Sequence, residues 1–412
     1  MLKNYFKIAI AVLRRRKFFT FISLFGISFT LTILMVLTAF IDKVGNSKYP
    51  DKNRDRSLYI VQLEERGEKN GYTSRGPSSY YFLNKYAGSL KTPVKVGISS
   101  MFNFSSAYVN DKKIAINFKY TNADYWDIAE YDFLEGKPFS KVQVDQAAKV
   151  AVISEDTRTA YFGANQHALG KYVEVDNIRY KVVGVVKNVP ITMFTFYGDM
   201  YLPYTLSKED YRSKALGGSY TAVLMAASAS DVPKMAAEYA TAVSKIKVES
   251  KDYDKLYSFA DPYFTGFVRI VLGRGSDSGI TTFYLGLFIF VVLFLMLPAI
   301  NLVNVNITRI MERSSEIGVR KAFGASSKTL VYQFVVENII LTLLGGVIGI
   351  GFSLLAIAFV NASNVIPNLE LTLNYLVLLY SLVVCLFFGL LSGVYPAWRM
   401  SRLNVVTALK AR

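Results

Sequence analysis

Side chains able to do covalent or metal chemistry are scarce in this chain. It holds one histidine, His167, and one cysteine, Cys385. One imidazole argues against a His-ligated metal centre or a Ser–His–Asp triad, and one thiol excludes an intrachain disulfide or a Cys-based metal site. The nearest approach to a reactive grouping is Glu155 and Asp156 with His167. Without metal-ligand spacing, solvated surface carboxylates explain those residues better than a membrane-anchored hydrolase does. A nucleotide-binding loop needs G-x-x-x-x-G-K-[ST], whose amides cradle phosphates while its lysine reaches them. The nearest stretch, Gly163 to Gly170-Lys171-Tyr172, has six intervening residues and ends in tyrosine. It reads as a turn. The expectation is a chain without catalysis, metal or bound cofactor of its own.

Chemistry of recognition is concentrated in residues 309–337, RIMERSSEIGVRKAFGASSKTLVYQFVVE. Glu316 and Arg320 are spaced i,i+4 in the favourable order and support a solvent-exposed helix. Ile317 and Phe323 offer an apolar anchor, while Gly318 and Gly324 permit close approach and a turn. Arg320 and Lys321 suit acidic residues of a partner or phospholipid headgroups equally well. A juxtamembrane helix that merely meets headgroups is the plainer alternative.

The surroundings of that segment are apolar. Phe18–Ile41, Ile280–Thr308, Asn338–Leu369 and Leu371–Trp398 lack Asp, Glu, Lys and Arg. Each meets the roughly 20 residues that cross a hydrocarbon core. Asn361–Asn364 and Pro367 shorten the third, giving expected spans over 18–41, 280–308, 338–361 and 371–398. The net charge of +16 is concentrated in short segments beside them: residues 1–17 hold six bases and no acid, 309–337 five bases and three acids, and 399–412 four bases and no acid. The long segment 42–279 carries only +5. By the positive-inside rule both termini and 309–337 are cytoplasmic and 42–279 lies outside. The basic excess is then an orientation signal and argues against nucleic acid. Residues 2–17 place Leu2, Tyr5, Phe6, Ala9, Val12 and Leu13 at helical spacing with bases opposite, as expected of an amphipathic helix on anionic lipid. The following apolar run exceeds a signal-peptide h-region and no A-x-A-like site follows, so an uncleaved anchor is expected.

Residues 42–279 read as a globular α+β unit. Strands are expected at Ser57–Leu63, Lys149–Ile153, Tyr172–Val175, Tyr180–Val186 and Tyr220–Ala226, where β-branched and aromatic residues lie between turns. Asp231 as N-cap and Pro233 in the first turn predict a helix over Val232–Ile246. With a strand at 256–260, this makes a small split-βαβ-like unit. Glu64–Ser79 and Lys208–Ser219 have turn composition and read as loops or subdomain boundaries. Within the spans, Asn301 and Asn304, near Pro298 and Asn306, are expected to face other helices, with a substrate path as the alternative. Gly345-x-x-x-Gly349 and Gly389-x-x-x-Gly393 place small residues on one face for close helix packing.

The stretch Glu312–Ala325, ERSSEIGVRKAFGA, followed by Leu341-Thr-Leu-Leu-Gly-Gly, resembles the signature of the MacB/FtsX-type ABC transporter permeases. Arg313, Glu316, Ile317, Gly318, Val319, Arg320, Lys321, Ala322, Phe323, Gly324 and Ala325 fill that pattern without a gap. NADYWDIAEYDFLEGKPFS (122–140), VAVISEDTRTAYFG (150–163) and LGKYVEVDNIRYKVVGVVKNVP (169–190) resemble the family's periplasmic core domain. SGVYPAWRMSRLNVVTALK (392–410) resembles its C-terminal motif, with Asn404-Val405 and Thr407 where the family often has Asp/Asn-Pro and an acid.

The resemblance implies an α-helical membrane protein with four transmembrane helices and a large α+β periplasmic domain, of porter- and sabre-like parts, between helices 1 and 2. It implies an inner-membrane subunit, working as a dimer with a second copy or a paralogue. Its partner would be a separate ABC ATPase, which carries the ATP and Mg. Residues 313–325 would be the ATPase-coupling element, and the mechanism would be mechanotransmission to the periplasmic domain. Efflux of peptides, antibiotics or other compounds through a periplasmic adaptor and outer-membrane channel is the leading function. A LolC/LolE-like lipoprotein-release permease and an FtsX-like regulator of a cell-wall hydrolase are the alternatives.

Overall fold

The structure, a computed structural model, describes residues 17–46, 49–109, 112–164, 166–248, 250–312, 319, 327–376, 378–380, 383, 386–387 and 390. They fall into two units. An outer unit comprises Val44–Tyr284 and Ile366–Leu369; the remainder forms a helical unit.

Among the described residues, thirteen strands build the outer unit: β1 Ser57–Ile60, β2 Leu63–Arg66, β3 Thr73–Gly76, β4 Pro93–Ser100, β5 Asn103–Val109, β6 Lys112–Thr121, β7 Phe133–Gly136, β8 Val150–Ser154, β9 Tyr172–Val175, β10 Ile178–Val186, β11 Met200–Pro203, β12 Tyr220–Ala226 and β13 Lys255–Ser258. Ten form one mixed sheet in the order β1-β12-β4-β6-β11-β8-β10-β7, with β5 on β6 and β9 on β10. β8 and β12 are buried at every position, as continuous apolar runs covered on both faces should be. β8 and β10 are parallel, and the helix Glu155–Phe162 lies in the crossover between them, capped by Ser154, whose hydroxyl accepts the N–H of Thr157.

Three readings of the sequence are corrected here. The run Ser57–Leu63 is not one strand: the chain leaves the large sheet after Ile60 and enters a second sheet, β13-β2-β3, at Leu63. Glu64–Ser79 is not loop alone, because it contributes most of the β2–β3 hairpin. Its charged composition suggested a turn, but Glu64 and Arg75 stand directly opposite each other across the strands and pair at 3.2 Å. The proposed βαβ unit is also absent. β12 lies in the large sheet and β13 in the small one, joined by the helix Val232–Ser244. That helix buries Met235, Tyr239 and Val243 at i, i+4 and i+8. Pro233 stands in its first turn; Asp231 is at the N-cap but turns its carboxylate to the Ser228 hydroxyl rather than to the helix amides.

One buried cation interrupts the large sheet. Lys119 is 1% exposed and donates to the carbonyls of Ser100 (2.8 Å) and Phe194 (3.1 Å). Burial pushes its ammonium down to about 7. An unfolded lysine titrates near 10.4, so between these values the unfolded chain binds more protons and stability rises with pH. Between pH 7 and 9 the outer unit should gain roughly 2 kcal/mol relative to Lys119→Met. Chemical denaturation of both proteins across that range checks it; parallel pH profiles would contradict it.

The helical unit contains most of three long apolar helices. The described helices with the length and composition to cross a membrane are Lys17–Asn46, Ile280–Leu297 within Ile280–Glu312, and Val335–Ser363 within Ser327–Ser363. Both of the longer helices extend into residues 309–337, through Glu312 and from Ser327. The third run continues to Ser363, past the polar break expected near Asn361. Asn361 instead closes the turn that follows, donating to the Leu371 carbonyl and accepting the Leu371 N–H, both at 2.9 Å. Most of 371–398, all of 1–16 and all of 399–412 lie outside the described residues.

Candidate coupling and transmission site

Two sets of contacts bear on a chain expected to move rather than catalyse: those that hold the apolar helices together in the helical unit, and a joint inside the outer unit where the residues ending one apolar helix and starting another are held.

In the helical unit, Lys17–Asn46 packs against Ser327–Ser363 through the glycines singled out in the sequence. A Cβ on Gly345 would lie 2.8 Å from Cγ2 of Ile27, and one on Gly349 would lie 3.1 Å from Cβ of Leu31 and Cα of Ser28. Only hydrogen leaves room for this approach. Thr32 donates to the Ser28 carbonyl at 2.7 Å and lies 3.3 Å from the Gly349 carbonyl. Ile27, Ile340 and Leu341 form the buried cluster beside it. Asn304 is exposed in this chain, and its carbonyl accepts the Thr308 hydroxyl. Asn301 lies in the same helix. Gly389 and Gly393 lie outside the described residues, as do Arg313, Glu316, Ile317, Gly318, Arg320, Lys321, Phe323, Gly324 and Ala325. Val319 alone of that stretch is described; it is helical and exposed.

The joint was not singled out from sequence. The helix Lys17–Asn46 ends inside the outer unit, where its last carbonyls need partners. Arg54 supplies them, donating through Nη1 to the carbonyls of Val44 and Gly45, a cation placed at the negative end of a helix dipole. Its Nε donates to Asp51 Oδ2 at 2.8 Å, and its guanidinium lies 3.9 Å from the ring centre of Tyr263. Asp51 is fully buried and accepts the Tyr59 hydroxyl on the same oxygen at 2.5 Å. Burial raises the Asp51 carboxyl above the usual range, outweighing the pull of Arg54 and Tyr59 in the other direction.

Tyr263 begins the helix Tyr263–Leu272, which leads into the next span. Phe264 lies 3.9 Å from the position of a Gly45 Cβ, and its ring packs on Phe283 and Tyr284 in the first turn of Ile280–Glu312 (centroids 5.4 and 6.3 Å). The outer ends of two apolar helices therefore meet one small set of residues. β1 ties that set to the large sheet: Tyr59 exchanges backbone hydrogen bonds with Asp261, and Asp261 holds Arg269 by a buried bidentate pair. Glu64 grips the connecting loop by accepting the Gly275 N–H at 3.0 Å. Burial alone would raise its carboxyl, but that bond together with Arg66 and Arg75 holds it below the usual range. Sequence reasoning passed over these residues because they are scattered from 45 to 284. The only local signal is the i,i+3 pair Asp51–Arg54 just after the first span.

The residues weighed for hydrolysis have other partners. His167 is 92% exposed at its side chain and lies 3.6 Å from Glu135, which also accepts the N–H groups of Ala168 and Leu169. Asp156 accepts from Asn368, and Glu155 lies 3.4 Å from Arg158. Gly163 and Gly170 have positive φ in the turn between helix Glu155–Phe162 and β9.

An α+β outer domain inserted between long apolar helices defines a membrane protein with a large extracytoplasmic domain. The model of the MacB-like periplasmic core domain family matches residues 20–242, more than half of the chain, and that of the FtsX-like permease C-terminal family matches 288–405. The chain belongs to the MacB/FtsX-type ABC transporter permeases. It is 28% identical over 303 residues to the macrolide export ATP-binding/permease protein MacB of Salmonella typhi, and 26% over 306 residues to that of Escherichia coli K12. The alignments cover 72% and 73% of this chain but 43% and 44% of those proteins, so the chain spans less than half the length of the curated relatives it matches. Among solved structures, the periplasmic region of MacB from Actinobacillus actinomycetemcomitans overlaps with a TM-score of 0.37 at 16% identity, covering 53% of this chain and 94% of that one.

Proposed function

We propose that the chain is a permease subunit that takes up motion from an ABC ATPase on a separate chain and passes it to its own outer domain. The observation that carries this reading is the gapless motif Arg313–Ala325, lying inside the FtsX-like match and between two long apolar helices. The ATP and Mg are assigned to that ATPase, since the motif offers no phosphate cradle of its own. Coupling requires the motif to contact that partner differently in its two nucleotide states. The joint at Arg54, Tyr263 and Phe264 supports the second half of the reading: within the outer unit, one interlocked set holds both the last residues of one apolar helix and the first turn of another.

Efflux of peptides, antibiotics or related compounds is the cargo class suggested by relatives described as macrolide exporters. A second permease copy or paralogue, and an adaptor with an outer-membrane channel, complete that assembly. Mild-detergent copurification from native membranes tests it. A stoichiometric ABC ATPase together with adaptor or channel is the expected result. A lipoprotein or cell-wall hydrolase in their place would move the assignment to lipoprotein release or hydrolase control, and a complex without a nucleotide-binding subunit would overturn it.

A further inference from the structure

The helix Tyr263–Leu272 presents an apolar end that the joint does not use. Val271 is 69% exposed, with Ile270 and Leu272 at 37% and 38%. The only charged residue in the helix, Arg269, is turned inward onto Asp261 and buried. The exposed end therefore carries no charge.

Its depth relative to the membrane follows from its neighbours within the outer unit. A Cβ on Gly279, one residue before the span helix begins, would lie 2.6 Å from Cβ of Leu272. Leu272 thus sits level with the root of the span. Phe264, two turns earlier, packs on Phe283 and Tyr284 in the first turn of that span. The helix consequently lies alongside the span's start. Between helix and span, Arg274, Ser276 and Asp277 are exposed polar residues, and Tyr284 is 55% exposed just below. Polar groups and a tyrosine flanking an apolar tip are the distribution expected at a headgroup boundary.

We propose that Ile270, Val271 and Leu272 rest in the lipid of the outer leaflet beside the root of the second span, making the helix Tyr263–Leu272 an interfacial anchor of the outer unit. Lipid is favoured over water by the uncharged tip, and over a second protein surface by the polar residues Arg274, Ser276 and Asp277 and by Tyr284, which flank it as headgroup-level residues do.

Site-directed spin labelling of the full chain tests this. Val271→Cys, in a Cys385→Ser background, is labelled with a nitroxide and reconstituted in phosphatidylethanolamine–phosphatidylglycerol vesicles. Phe288→Cys in the span and Leu134→Cys in β7 serve as lipid and water references. Collision with oxygen should exceed collision with an aqueous nickel chelate at 271, as at 288 and opposite to 134. A ratio like that of 134 would place the tip in water and overturn the proposal. Low collision with both reagents, with spin–spin broadening relieved by unlabelled protein, would assign the face to a second copy and equally overturn it.

Discussion

Arg54→Met should lower the stability of the outer unit by about 3–5 kcal/mol, the usual consequence of removing one member of a buried ion pair. Arg54 is 17% and Asp51 0% exposed at the side chain, so solvent cannot take over the lost interaction. The same change strips the Val44 and Gly45 carbonyls of their donor and leaves the Tyr263 ring without its cation. A sign follows for pH. The Asp51 carboxyl is already raised by burial, and loss of Arg54 raises it further. A group whose folded pKa lies above its unfolded value destabilises increasingly as pH climbs from the unfolded value through the folded one. The variant's deficit should therefore be smaller at pH 4 than at pH 8. Adding Asp51→Asn should recover much of it, because the amide still accepts the Tyr59 hydroxyl without burying a charge. Denaturant midpoints of the wild type, the two single variants and the double variant at both pH values check this. Additive losses in the double variant would show that the pair is not the source.

Gly349→Leu is the second large effect. The new side chain must start from a Cβ already 3.1 Å from Ser28 Cα, which is backbone and cannot rotate aside, and from Leu31 Cβ and Cδ2. Overpacking by even a few methylenes costs about 1–3 kcal/mol, and here the helices must separate or unlock the Thr32 contact as well. A loss at or above the upper end is expected in thermal unfolding of the detergent-solubilised chain. Gly351, two residues on, has no atom of the described residues within 4 Å of its would-be Cβ, so Gly351→Leu should leave that midpoint nearly unchanged. Equal losses at the two sites would remove Gly349 from the packing seam.

Much of this organisation is written locally. Charge-free runs mark the long helices because hydrocarbon tolerates almost nothing else, and β9 and β12 begin and end where turns bound their β-branched and aromatic residues. What escaped detection depends on residues distant in sequence. Lys119, in KKIAINFKYT, gives no sign of burial, since the carbonyls that hold it belong to Ser100 and Phe194. The β2–β3 hairpin looked like loop because its strand-forming logic is a cross-strand charge pair. The joint assembles Gly45, Asp51, Arg54, Tyr59, Tyr263 and Phe264, which share no recognisable pattern beyond the i,i+3 pair Asp51–Arg54. The residues proposed for coupling present the opposite case. Their spacing alone suggests only an exposed amphiphilic helix, and resemblance supplies the role.

The central claim is that the chain transmits the work of a separate motor through Arg313–Ala325. Reconstituting the permease with its ATPase in proteoliposomes and measuring ATP turnover, with Glu316→Lys or Gly318→Trp against wild type, addresses it most directly. Reversing the charge of Glu316 removes its i,i+4 partner relation to Arg320, and a tryptophan at 318 blocks close approach. The account predicts loss of permease-dependent stimulation with normal membrane insertion. Coupled turnover unchanged in both variants would contradict it.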